Sequence, residues 1–212
     1  MSDWSVHLLQ LAARGQLGRV GRKLLLDLPA LSQSFACVTS LCTPGARAKD
    51  ARSCCADLEV TLSDAERAAI TTALPAIAAH LGWASTPDVF DGDVLTRPKR
   101  RCVFAVETPL RCGLHTYEDT NALARGTLKP LPCRLFPLVI VDAEDGRTLV
   151  TAIHARTAAL AGSRPARAFP CLGGDAPTVA ESCSDTLAAL YGEKTASDIA
   201  RQAREWSAAG QG

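Results

Sequence analysis

Cysteine is the residue type most able to do chemistry in this chain. Nine occur, at Cys37, Cys42, Cys54, Cys55, Cys102, Cys112, Cys133, Cys171 and Cys183, and few other soft ligands accompany them. Thiolates of this kind hold zinc, iron or iron–sulfur clusters. Compartment decides between that chemistry and disulfides. The stretch Met1–Gln10 has an acidic residue early. It lacks a basic n-region, an apolar core and a small-residue cleavage site, so no secretory signal is expected. Apolar runs such as Leu135–Val141 are too short to span a bilayer. A cytoplasmic chain is the expectation, and there thiols stay reduced. Metal binding is favoured over a disulfide framework or merely buried thiols, and the odd count argues against complete pairing.

The spacing is C-x4-C-x11-C-C, then C-x9-C, C-x20-C and C-x11-C. No C-x2-C knuckle, ferredoxin run or haem attachment motif is present, so spacing alone leaves the metal open. Dispersal is more telling. Ligands drawn from separate segments would close several loops at once and couple metal binding to folding. Adjacent cysteines seldom point at one ion, because neighbouring side chains diverge on an extended backbone. Cys54 and Cys55 therefore serve different centres, or one is structural. Arg52, Arg101, Arg111 and Arg134 stand within two residues of a cysteine, where positive charge favours the thiolate; an arginine-rich chain would also produce this pattern. Cys183, in Glu181-Ser182-Cys183-Ser184, reads as a packed helical thiol.

The histidines weigh less. His115, three residues past Cys112, is a ligand or proton donor, or else a polar loop residue. His80 and His154 read as structural, and His7 carries no signal. No P-loop, dinucleotide fingerprint or nucleophile elbow appears, and Gly173-Gly174-Asp175 reads as a turn. A net charge of +1 and 5% aromatic residues argue against nucleic acid and anionic membrane as partners.

These residues need elements to place them. The 212 residues, 47% hydrophobic and 21% charged, suit one ordinary domain. Asp3–Arg14 reads as an amphipathic helix, and Gly15 and Gly18 loosen the chain behind it. Residues 33–56 read as an irregular loop shaped by its ligands. Ser63-Asp64-Ala65-Glu66 is a capping box opening a helix that Pro75 should bend or interrupt and Gly82 should end. Ser85–Arg101 reads as a solvated loop with the basic run Arg97–Arg101. Cys102–Val106 and Arg111–His115 read as paired strands, and Glu118–Ala124 as a short helix. Leu135–Val141 and Arg147–Ile153 form the clearest hairpin. In Cys133-Arg134-Leu135-Phe136-Pro137 the chain should pass from loop into strand, with Arg134 and Phe136 turned away from Cys133. Helices over Thr178–Leu190 and from an N-cap at Ser197 to Ala208 finish the chain. The expected fold is α+β: a small antiparallel sheet with surrounding helices and irregular metal-binding loops. It forms a single cysteine-cluster domain, with a lead-in over 1–32, a metal-binding core over 33–174 and terminal helices over 175–212.

Three stretches carry a family resemblance. They are Cys37-x4-Cys42 with Ser53-Cys54-Cys55-Ala56-Asp57-Leu58-Glu59, Arg101-Cys102-Val103-Phe104 with Arg111-Cys112-Gly113-Leu114-His115, and Lys129-Pro130-Leu131-Pro132-Cys133-Arg134-Leu135-Phe136-Pro137. Together they resemble the YkgJ-type cysteine-cluster family of zinc- or iron-chelating proteins and iron–sulfur oxidoreductases. A related branch includes flagellin lysine N-methylases. The likeness spans Phe35 to Cys171, and Phe169-Pro170-Cys171 suits the family's late cysteine. The opening departs from the family's C-x2-C-x2-C-C. The resemblance implies Cys54, Cys55, Cys102, Cys112, Cys133 and Cys171 as cluster ligands, with Cys42 and Cys37 after them. It implies an iron–sulfur cluster, [4Fe–4S] first, in an oxidoreductase-like or electron-transfer role served by a redox or protein partner. The alternatives are a zinc-stabilised binding module without redox chemistry, or a metal-dependent tailoring enzyme such as a lysine N-methylase relative. No S-adenosylmethionine site is recognisable.

Overall fold

A computed structural model describes residues 3–37, 59–98, 101–107, 110–124, 126–163 and 165–210. The chain is α+β and folds as two compact units, Met1–Cys37 with Leu135–Gly212, and Val38–Arg134. In chain order the first stretch gives α1 (Asp3–Ala13), β1 (Leu17–Val20), β2 (Leu24–Asp27) and α2 (Leu28–Leu31). The second unit holds α3 (Asp64–His80), β3 (Phe90–Asp91), β4 (Val94–Leu95), β5 (Ala105–Glu107), β6 (Leu110–Cys112) and α4 (Gly113–Thr120). Then come α5 (Leu131–Leu135), β7 (Leu138–Asp142), β8 (Thr148–Ala152), a 3-10 turn at Ala166–Ala168, α6 (Val179–Ser182), α7 (Ser184–Tyr191) and α8 (Glu193–Ala209). Among the described residues no helix is long and apolar enough to cross a membrane.

The first unit is built on one four-stranded sheet, ordered β1-β2-β8-β7. Two antiparallel hairpins, β1–β2 and β7–β8, meet along a parallel pairing of β2 with β8. Leu26 and Val150 point to one face, into a core with α2, α6, α7 and α8. Helix α8 contributes buried Ala196, Ile199, Ala200 and Ala203, a stripe at helical spacing whose small residues let it lie close. Period-two alternation puts Leu25, Asp27, Leu149 and Thr151 on the opposite face. There Asp27 Oδ2 accepts hydrogen bonds from Thr151 Oγ1 at 2.8 Å and pairs with His7 Nε2 of α1 at 2.8 Å. Its Oδ1 caps α2 through Ala30 N–H at 3.2 Å. A helix on each face leaves Leu25, Leu26, Leu149 and Val150 at most 1% exposed.

In the second unit Ser63 and Glu66 make both halves of the expected capping box. Helix α3 runs past Pro75 to His80 instead of breaking there. Ile70 and Ile77, on either side of the proline, both bury in one core. That shared burial holds the two halves in line despite the lost backbone bond. The Ser85–Arg101 loop contains the β3–β4 hairpin, and residues 60–62 add to β4 through Leu62 N–H to Asp93 O and Leu95 N–H to Val60 O.

Several local expectations change. The chain after Gly15 pairs as β1–β2 instead of loosening. Cys102 precedes its strand in a tight turn, Ala105 N–H to Cys102 O at 2.9 Å, because the pairing begins only at Ala105. Helix α4 starts at Gly113, where a β-strand to His115 was expected. Cys133 lies in α5, so strand alternation does not apply to Cys133-Arg134-Leu135. Pro137 stands just ahead of β7. The Thr178–Leu190 helix breaks at Cys183, and α8 starts after Gly192, ahead of Ser197.

Asp27 gives the first unit an acid-sensitive joint. Burial alone would raise its carboxyl, but the bonds from His7, Thr151 and Ala30 outweigh that and hold it below the ordinary carboxylate value. A carboxylate so held stabilises the fold fully above its unfolded pKa, about 3.9, and loses that contribution as pH falls through the lower folded value. Asp27→Asn is expected to cost about 2–3 kcal/mol at pH 7, since it weakens bonds to a buried charged acceptor. Chemical denaturation followed by circular dichroism should show that loss, and should show the variant's stability falling less steeply than wild type below about pH 4.

Candidate functional site

Three of the expected ligands pack against one core, that of the second unit. Cys102, Cys112 and Cys133 are half-buried and pack against the core of Val60, Ile70, Phe104, Leu114 and Leu128. Each arrives on a different segment. Cys102 is placed by Val103 N–H to Thr96 O at 3.0 Å and by the turn to Ala105. Cys112 ends β6 opposite Ala105. Gly113 follows it because its N–H reaches Phe104 O at 2.7 Å, and an added Cβ would stand 2.9 Å from that same oxygen and from Leu81. Trp83 stacks on Phe104 with ring centroids 5.7 Å apart, closing the core behind this corner.

Cys133 sits in the first turn of α5, its N–H bonded to Pro130 O at 3.0 Å. Two carboxylates hold main-chain N–H groups at or just ahead of that turn. Glu66 Oε1 accepts Leu131 N–H at 2.6 Å while Oε2 accepts Ser63 N–H and Oγ–H. Burial pushes the Glu66 carboxyl up, but the bonds from Leu131 and Ser63 and the charge of Arg134 leave it below its ordinary value. Glu118, 1% exposed, accepts main-chain N–H groups of Gly126, Leu128 and Lys129. The Arg134 guanidinium lies against the Cα of Gly126, in the space a Cβ would take. His115, one turn along α4 from Cys112, pairs with Asp119 at 3.3 Å. His80 meets Tyr117 edge-on.

The other cysteines belong elsewhere. Cys37 is exposed and Cys171 half-buried in the first unit, where Ala36 N–H bonds Cys171 O at 3.1 Å beside the Phe35–Leu172 bridge. Cys183 is 5% exposed within that unit's main core. Cys42, Cys54 and Cys55 lie outside the described residues, as does most of the expected ligand-shaped loop. Among the described residues no three His, Cys, Asp or Glu side chains stand close enough to hold a metal ion.

Sequence reasoning passed over Glu118, Asp27 and His7. Glu118 follows buried Leu114 by one turn, which marks it on the inner face of α4. His7 precedes buried Leu11 by the same interval on α1. A polar residue at a core-facing position was the available signal in both cases. His154 also changes weight: burial first, then the charge of Arg156, pushes its imidazole below the ordinary value despite the opposing pull of Asp27. Comparison with protein-family models, with curated proteins and with solved structures gives no match.

Glu66 joins α3 and α5, so its removal should be felt at both. Glu66→Ala is expected to destabilise the chain by about 1–2 kcal/mol, the range of a lost helix cap, with Glu66→Gln costing less. Urea unfolding of the two variants beside wild type measures this, and equal stability of all three would remove Glu66 from the support of α5.

Proposed function

We propose that the protein is a cytoplasmic metalloprotein that binds iron through its cysteines as an iron–sulfur cluster, [4Fe–4S] first, in an oxidoreductase-like or electron-transfer role. The observation that most supports this reading is the placement of Cys102, Cys112 and Cys133 on one core, half-buried and from three separate segments. Soft, partly shielded sulfur donors suit iron–sulfur ligation, and a cluster held by thiolates supplies one-electron transfer at a potential set by local charge, hydrogen bonds and exposure. Cys54, Cys55 and Cys42 are the further donors in this reading. Cys37 and Cys171, neighbours at the Ala36–Cys171 hydrogen bond, are a second group of candidate donors. Because Cys102, Cys112 and Cys133 do not already form a metal-ligand group, loading would draw their segments together over a core that is already formed, coupling metal uptake to a local rearrangement. The partner is a redox or other protein.

Anaerobic purification tests the reading directly. The protein is expected to be brown and to contain iron and acid-labile sulfide. A colourless preparation with stoichiometric zinc would overturn the iron assignment in favour of a zinc-stabilised module, since zinc has no redox states. Cys112→Ser and Cys133→Ser should each lose metal and the stability that metal adds to the folded chain, whereas Cys183→Ser should keep its metal. Equal metal content in the three variants would overturn the ligand assignment.

A further inference from the structure

A carboxyl group as deep as that of Glu118 needs hydrogen bonds in place of water. Glu118 takes them from the main chain of one segment: Leu128 N–H at 2.6 Å and Lys129 N–H at 2.7 Å to Oε1, and Gly126 N–H at 3.3 Å to Oε2. Bonds of this type choose no side chain; they set the path of the backbone. Two residues on, Leu131 N–H is held by Glu66 of α3. Between Gly126 and Leu131, then, four N–H groups are gripped by two carboxylates from two other helices. Pro130 interrupts the series with no N–H to offer, and its carbonyl starts α5 by accepting from Cys133 and Arg134. Helix α5 has 5 residues, too few to hold its own direction.

We propose that this clamp sets the direction in which α5 presents the Cys133 thiol, and that Glu118 is its buried positioning residue. The assignment rests on the reading of Cys133 as a working thiol. It reaches the sulfur through the backbone, so it holds for any soft metal bound there. Glu118→Gln is the informative change. A glutamine oxygen can still accept from Leu128 and Lys129, but its NH2 then faces the Gly126 N–H, donor against donor. The segment must shift while the core around it keeps its volume.

The test reads thiol accessibility in the full-length, reduced, metal-free chain, with N-ethylmaleimide as the probe and peptide mass spectrometry resolving each cysteine. In Glu118→Gln the labelling rate of Cys133 is expected to change about tenfold while Cys102 and Cys112 stay within about twofold of wild type, since one segment can open locally without the rest of the unit. A common change in all three rates would mean general loosening of the unit and would overturn the assignment, as would an unchanged Cys133. Should Glu118→Gln fail to fold, Glu66→Ala loosens the same helix from a half-exposed position and is read by the same selective criterion. Because no metal is present, a chain that binds zinc instead of iron, or neither, leaves this result standing; metal analysis alone decides the proposed function.

Discussion

The parallel pairing of β2 with β8 is the constraint on which the first unit depends. Leu24, Leu25 and Leu26 stand opposite Thr148, Leu149 and Val150, although the whole second unit lies between them in sequence. Closing so long an excursion costs chain entropy, but the cost rises slowly: each doubling of length adds about 0.6 kcal/mol. Full burial of a single leucine or valine is worth about 1.5–3 kcal/mol. Leu25, Leu26, Leu149 and Val150 are all essentially inaccessible, so side-chain burial outweighs the length of the connection. The pairing also fuses two ordinary hairpins into one sheet with two faces to cover, which is why α1 and the terminal helices both have a place to pack.

Carboxylates do the finer joining in both units, in different ways. Asp27 ties side chains together, linking α1 through His7 and β8 through Thr151 while capping its own helix. Glu66 and Glu118 hold main-chain amides instead, and so govern where a loop runs. In each case a buried or half-buried acceptor is satisfied by donors that only the folded chain brings near it. That is the condition under which a polar group in a core stabilises the fold instead of weakening it.

The described cysteines divide between the units. Cys102, Cys112 and Cys133 share the second core, whereas Cys37, Cys171 and Cys183 belong to the first. Their surroundings differ as much as their addresses. Cys183 is buried in the cluster that holds Phe35, Val179 and Leu187, while the three of the second unit keep part of their surface in solvent. A half-buried sulfur is both shielded and reachable by a reagent; a sulfur closed off in an apolar core is inert.

Local signals in the sequence were enough for the capping box at Ser63, the amphipathic α1 and the β7–β8 hairpin, because each is decided by neighbours within a few residues. The α+β class followed from the same signals. The β1–β2 hairpin was hidden, because Leu24-Leu25-Leu26 is apolar on both faces and shows no alternation once a helix covers each side. A passage from loop into strand was expected at Cys133–Pro137, and the helix there was missed because Leu131–Leu135 is too short to show a helical period. Its turn starts at Pro130 O, which accepts from Cys133 and Arg134, just after a segment whose amides are held by two carboxylates distant in sequence. Chain chemistry alone identified the thiols, since a cysteine is a soft ligand wherever it sits. Only the tertiary structure decided which of them share a core, because that depends on long-range burial and on hydrogen bonds between segments far apart in the chain.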